Sequence, residues 1–334
     1  MSSSLSAVPD IDEDLAQAVM ERLATVEDRL RDSVATNDHL ARWTARHLMD
    51  AGGKRVRPML VLLAAALGDM HRDDVIDGAV LVELTHLASL YHDDVMDSAS
   101  TRRGTRAAHE VWGNNVAILT GDFLFARASG LSSRLGTEAV RLHSLTFERL
   151  CLGQLHETVG PQEGEDPFDH YVSVLADKTA SLLALAGQLG AQLSGAPQGV
   201  DDVMRRYGEK VGVAFQLADD VLDLESDPDT SGKTPGTDLR EGVPTMPTLL
   251  VRRRAAEGDL GAESLVHALE SDLSDDEALS RVVTMLRQDP ALEETRALAQ
   301  RTADDAVAIL EELPEGPVRE ALIAFTRTLV ERRR

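Results

Sequence analysis

The chain has 334 residues, 43% hydrophobic and 3% aromatic, with a formal net charge of −23. That length supports one large domain or two small ones with a sizeable core, and the acidic balance excludes nucleic acid as a partner, because phosphate backbones require a basic face. One cysteine, Cys151, excludes a disulfide framework, and the longest apolar run, 59–67, is far short of the roughly twenty residues that cross a bilayer.

Residues 1–11 read as a disordered tail without the charged and apolar regions of a signal peptide, which with the lone cysteine predicts a cytoplasmic protein. No linker and no fixed repeat divides 12–334, so a single domain is expected. Leu15, Val19, Leu23, Val26 and Leu30 fall on one stripe and predict a helix over about 12–32. A second helix runs to about Ala51, where Gly52-Gly53 break it. The basic turn Lys54-Arg55-Val56-Arg57 follows, with Pro58 suited to the first turn of the next helix and donors placed at a helix N-terminus, a natural anion site. After a helix over about 73–97 comes a loop with Arg102-Arg103-Gly104, suited to clamping phosphate. Helices are expected over 116–130 and 138–159, where Cys151 reads as a small core residue, then a polar loop over 161–167. A helix over 171–194 carries Lys178-Thr179, and another spans 203–224. The Gly/Pro/Asp-rich stretch 226–247, containing Lys233, reads as a mobile lid, and the remainder is helical. Scarce aromatics, abundant Ala and Leu and no strand-turn-strand spacing predict an all-α fold.

Two of these helices end in the same acidic pattern, Asp93-Asp94-Val95-Met96-Asp97 and Asp219-Asp220-Val221-Leu222-Asp223. Residues three and four apart share a helix face, so these carboxylates repel one another, and late in a helix they also oppose its dipole. Both costs disappear if the clusters face each other and hold Mg²⁺ ions that bridge a substrate's phosphates. A diphosphate substrate is therefore expected. In a chain so rich in aspartate the pattern alone is weak. Asp73-Asp74-Val75-Ile76-Asp77 matches it too, but precedes an apolar run and reads as the acidic first turn of a helix.

Gly52-Gly53-Lys54-Arg55-Val56-Arg57-Pro58, the first cluster with Arg102-Arg103-Gly104, Gly121-Asp122, Lys178-Thr179, Gly212 through Asp220 and Gly232-Lys233 occur in one order, and together they resemble the trans-isoprenyl diphosphate synthases, or polyprenyl synthetases, over about 12–334. The resemblance implies a helical bundle around a deep central cavity, usually dimeric, that joins an allylic diphosphate to isopentenyl diphosphate with roughly two to three Mg²⁺ ions. It implies Asp93, Asp97 and Asp219 as metal ligands, with Asp94, Asp220 and Asp223 completing the catalytic clusters. It further implies Lys54, Arg57, His86 and Arg103 for isopentenyl diphosphate, and Arg102, Lys178, Thr179, Gln216 and Lys233 for the allylic diphosphate, Lys178 acting in catalysis as well. Arg55 is expected as a surface charge beside its functional neighbours, His92 as a packing residue or a support behind the cluster, and Gln154 and Glu157 receive no role. The family often carries a second lysine after the lid; here Val243 stands at that place.

Product growth is expected down a tunnel beneath the first cluster. One helical turn before Asp93 lies Ser89, with Ala88 beside it and Thr85 a turn further down. All three are small, so the chain is expected to pass this level, with the floor deeper at Leu81, Phe123 or Phe125. A long product of roughly thirty to fifty carbons follows, a quinone side-chain precursor needing a tunnel of about 25 to 40 Å. The rivals are a farnesyl or geranylgeranyl diphosphate synthase, a terpene cyclase, which has no need of the basic turn or a second cluster, and a subunit of a heteromeric synthase. Transient membrane association through the product is also expected.

Overall fold

A computed structural model describes residues 12–225 and 235–331. The expected tail at 1–11, residues 226–234 of the expected lid with Lys233 among them, and the last three residues lie outside the described residues. Helices dominate, as the composition predicts. In chain order they are α1 (Glu13–Ser33), α2 (His39–Asp50), α3 (Val56–Ala65), α4 (Asp73–Met96), α5 (Ala108–Trp112), α6 (Asn114–Leu135), α7 (Thr137–Val159), α8 (Pro167–Leu175), α9 (Ser181–Ser194) and α10 (Val200–Glu225), followed by α11 (Thr237–Glu241), α12 (Met246–Ala256), α13 (Leu260–Leu269), α14 (Asp276–Gln288), α15 (Pro290–Ile309) and α16 (Pro317–Val330). Two short strands, β1 (Thr101–Arg102) and β2 (Thr105–Arg106), form an antiparallel ribbon between α4 and α5.

Local chemistry sets the helix starts. Asp12, Asp38 and Asp166 each accept a backbone N–H of the first turn, the last two at 2.9 and 2.8 Å, which satisfies donors the helix cannot pair itself. Asp73 and Asp74 sit in the first turn of α4, and Asp77 pairs with Arg29 of α1 at 2.5 Å. The third Asp-Asp-x-x-Asp is thus a helix start, as its context predicts.

The chain forms two compact units, each assembled from three stretches: residues 1–150, 181–208 and 309–324 in the first, 151–180, 209–308 and 325–334 in the second. In the first, α4 packs on α6, α9, α3 and α1. Helix α3 is buried from Pro58 to Ala65, so it shows no amphipathic stripe, and α4 buries residues on every side through its middle turns. In the second, Leu217, Val221 and Leu224 of α10 meet Leu250 and Val251 of α12, Leu265 of α13 and Val282 and Leu286 of α14. Their spacing leaves Gln216, Asp219 and Asp223 off that apolar stripe.

Candidate active site

In the first unit, Gly52 (φ +92°) and Arg55 (φ +49°) turn the chain from α2 into α3. The left-handed backbone at Arg55 folds its side chain inward, while Lys54 stays exposed and Arg57 half-buried. The expected surface charge is therefore corrected: Arg55 is only 6% exposed. It donates to Glu83 of α4 at 2.8 Å, to Glu27 of α1 through two nitrogens, and to the Met49 carbonyl at 3.2 Å.

The ribbon after α4 explains how two adjacent arginines serve different partners. Arg103 and Gly104 both have positive φ, 53° and 74°, as a two-residue turn between twisted strands requires. Arg102 donates to Asp94 Oδ1 at 2.6 Å, whereas Arg103 donates to the carbonyls of Leu48, at 3.0 Å, and Gly52. Arg57, Arg103, Arg102 and Arg55 all bear electrostatically on His86, but burial is the larger influence, and together they hold its imidazole well below the usual range. His86 is therefore a neutral group inside a cationic pocket.

The first cluster closes α4. The Asp97 N–H caps the helix on the Asp93 carbonyl at 2.8 Å; Asp93 is half-buried and Asp97 exposed. Asp94 instead points inside. Burial pushes its carboxyl up against the pull of Arg102, and its Oδ2 is buried with no hydrogen-bond partner. Beside the cluster, His92 meets the Ile118 carbonyl at 3.0 Å and Asp122 at 3.4 Å. A side chain at Gly121 would overlap the imidazole, which gives the Gly121-Asp122 pair a packing reason.

Below the cluster, Ala88 and Thr85 are buried and Ser89 half-buried. Thr85 donates its hydroxyl proton to the Leu81 carbonyl at 2.8 Å, so the 3.0 Å contact with His143 of α7 must run from His143 Nε2–H to Thr85. Phe125 and Phe147 pack ring to ring at 4.3 Å. Phe123 lies beneath the Arg127 guanidinium, and Leu81 is buried. His143 and Phe147 are side chains that local spacing on α4 alone could not reveal.

In the second unit the expected helix over 171–194 is interrupted. Residues Ala176–Ala180 form a π-helical turn between α8 and α9, and Lys178 and Thr179 sit within it. Such turns insert one residue and redirect side chains, and they recur at functional sites. The turn presses so closely on α7 that a Cβ at Gly153 would lie 2.7 Å from the Lys178 backbone nitrogen. Lys178 pairs with Glu157 of α7, and Thr179 donates to Gln216 of α10 at 3.2 Å. Glu157, which has no role in the sequence reading, is thus the partner of Lys178.

The second cluster repeats the division of labour. Asp219 and Asp223 are half-buried; Asp220 is buried and accepts the Tyr171 hydroxyl at 2.7 Å and the Met246 N–H at 2.9 Å on one oxygen. Burial pushes the Asp220 carboxyl up to about 8. Asp223 accepts the Thr237 N–H at 3.2 Å, tying α10 to α11. Val243, where the family often has lysine, lines an apolar pocket of about 340 Å³ with Tyr171, Val174 and Leu239.

Among the described residues no three carboxylate, His or Cys side chains converge as a closed metal cage. The donor chemistry still fits a hard divalent cation. Mg²⁺ binds through one or two carboxylates plus substrate phosphates and waters, and Asp93 with Asp97, or Asp219 with Asp223, offers such a partial shell.

These features are those of an all-helical protein with arginines and lysines set near two aspartate clusters. The sequence profile of the polyprenyl synthetase family matches residues 39–286, and the chain belongs to that family of prenyltransferases. It is 41% identical over 318 residues to the nonaprenyl diphosphate synthase of Mycobacterium tuberculosis, covering 95% of this chain and 94% of that protein. Among solved structures, a polyprenyl synthase from Caulobacter crescentus complexed with calcium and isoprenyl diphosphate is 34% identical, with a TM-score of 0.87 over 96% of this chain and 97% of that one. A geranylgeranyl pyrophosphate synthase from Corynebacterium glutamicum, complexed with the same two ligands, is 41% identical, with a TM-score of 0.85 over 96% and 98%.

Proposed function

We propose that the chain condenses an allylic diphosphate with successive molecules of isopentenyl diphosphate to give a long all-trans polyprenyl diphosphate of roughly thirty to fifty carbons, a precursor of quinone side chains. One observation carries the reading. The first unit holds two neighbouring anion sites of different chemistry: a carboxylate pair, Asp93 and Asp97, suited to a metal-bound diphosphate, and an arginine-rich pocket in which Arg57, Arg102 and Arg103 all act on His86. A cyclase, with one diphosphate to bind, needs only the first.

Lys54, Arg57, His86 and Arg103 hold isopentenyl diphosphate, with neutral His86 able to donate one hydrogen bond without adding charge. Arg102, Lys178, Thr179, Gln216 and Lys233 hold the allylic diphosphate, and Lys178 neutralises charge that develops on it as the carbon–oxygen bond breaks. Asp93, Asp97 and Asp219 would hold Mg²⁺, with Asp223 in support, and the ions would supply Lewis-acid stabilisation of the departing diphosphate. Asp94 and Asp220, turned inward, orient their helices. The double bond of isopentenyl diphosphate attacks the allylic cation, and the released diphosphate takes the proton then lost, so no dedicated basic side chain is required.

The Thr85–His143 bond and the Phe125–Phe147 pair are contacts at which a growing chain passing Ser89 and Ala88 would be closed off. That closure favours a second reading with a shorter product, as from a geranylgeranyl diphosphate synthase. Ile118 and Leu119 of α6 and Leu145 of α7 are exposed apolar side chains and support a homodimer. No described helix is long and apolar enough to cross a membrane, which leaves transient contact through the product as the proposed membrane association. A cytoplasmic location is part of the same proposal.

The test is incubation of the purified chain with farnesyl diphosphate, labelled isopentenyl diphosphate and Mg²⁺, followed by sizing of the dephosphorylated products. Six or more isoprene units bear out the long-chain reading. Four units select the second, and no incorporation points to a required partner subunit.

A further inference from the structure

Beneath the cationic pocket lies a set of charges that the proposed chemistry does not use. Glu83 is 2% exposed in the middle of α4, between Val82 and Leu84, both fully buried. A carboxylate at such a place persists only when it is paired. Its partners are Arg55, at 2.8 Å, and Arg103, at 3.8 Å. Arg55 reaches onward to Glu27 of α1, to the Met49 carbonyl at the end of α2 and to the Gly52 carbonyl of the basic turn at 3.5 Å. Arg103 grips that same Gly52 carbonyl and the Leu48 carbonyl, with its guanidinium laid against Gly53, where a Cβ would come within 3.0 Å of the guanidinium carbon. Two guanidiniums and two carboxylates thus join the turn, the end of α2, the ribbon and α1 to α4.

The charge balance explains why this network is buried directly below the pocket. Arg55, Arg57, Arg102 and Arg103 gather around His86, and like charges so placed repel until an anion arrives. Glu83 and Glu27 supply negative charge from the protein side, which a diphosphate supplies from the other. We propose that Glu83 and Arg55 are positioning residues for the isopentenyl diphosphate site, their ion pair holding Arg103 and the Lys54–Arg57 turn in binding geometry before the diphosphate arrives. The inference rests on the reading of that site given above. Neither residue touches substrate; they remove the ordering cost that binding would otherwise bear, so their loss falls on affinity for isopentenyl diphosphate and spares that for the allylic substrate.

The experiment compares Glu83→Gln, which keeps size and removes charge, with the unaltered chain. Binding of isopentenyl diphosphate is measured by calorimetry, and KM is determined for each substrate. The expected result is a rise of about tenfold or more in Kd and KM for isopentenyl diphosphate, with the allylic KM within about twofold. Arg55→Lys moves the same way, because an ammonium cannot span two carboxylates and two carbonyls. It also keeps the buried charges balanced, so it decides the matter if Glu83→Gln does not fold. Asp77→Asn, which removes the other α1–α4 ion pair, serves as the control: it lowers Tm and leaves both KM values unchanged. If the unaltered chain shows no saturable binding of isopentenyl diphosphate, the assignment of the site falls and takes the inference with it. If the unaltered chain binds, and a folded Glu83→Gln or Arg55→Lys keeps its KM for isopentenyl diphosphate or raises both KM values alike, the positioning role is overturned.

Discussion

At the scale of single residues, each aspartate cluster divides its carboxylates by direction. Asp94 and Asp220 are spent inward, on Arg102 and on Tyr171 with the Met246 N–H, and the outer members remain half-buried or exposed. The inward role has a pH signature. Asp220 rises from 3.8 to about 8 on folding, so its contribution to stability is complete below about pH 4 and declines as pH climbs through about 8. Asn at this position keeps an oxygen for both donors and has no proton to lose. In metal-free protein, Asp220→Asn should match the parent near pH 4 and exceed it at pH 8 by on the order of a few kcal/mol, read as denaturation midpoints across that range. A parallel pH profile for the two proteins would show that the carboxyl ionises without penalty. Ser89 tests the tunnel: Ser89→Phe should shorten the product by one or more isoprene units, and an unchanged product ladder would place the growing chain elsewhere.

At the scale of elements, the π-helical turn is what distinguishes the segment 167–194 from an ordinary helix. It puts Lys178 and Thr179 against Glu157 and Gln216, and it depends on a bare Gly153 beneath it. Gly153→Ala should push the turn off α7, costing about 1 to 3 kcal/mol of stability from overpacking and raising the allylic KM several-fold while the KM for isopentenyl diphosphate holds. Equal changes in both constants would mean that the turn does not position the lysine. This element also marks what sequence could and could not tell. The stripe in α1, the acidic start of α4, the break at Gly52-Gly53 and the late-helix clusters were all legible, because each depends on neighbours in sequence. The π turn, the burial of Arg55 and the His143 contact were not, because each depends on a residue fifteen or more positions away. A lone Glu83 in an otherwise apolar run was the available hint of a buried partner. Cys151, expected inside, is exposed: its helix is long, and periodicity alone does not say which face another element covers.

At the scale of the whole molecule, the exposed apolar residues of α6 point to association. Leu119 is 65% exposed and Ile118 40%. If the proposed homodimer is built on this face, Leu119→Lys should convert it to monomer in sedimentation velocity; a dimer that sediments as before would locate the interface on another face. The arrangement of the chain has a different kind of consequence. Each unit is assembled from three separated stretches, and α16 contributes residues up to 324 to one and from 325 to the other. No single cut in the gene can therefore release either unit intact. During synthesis the first unit stays unfinished until residue 324 has been made, and a stop codon in α16 ahead of that residue would strip a segment from both units at once.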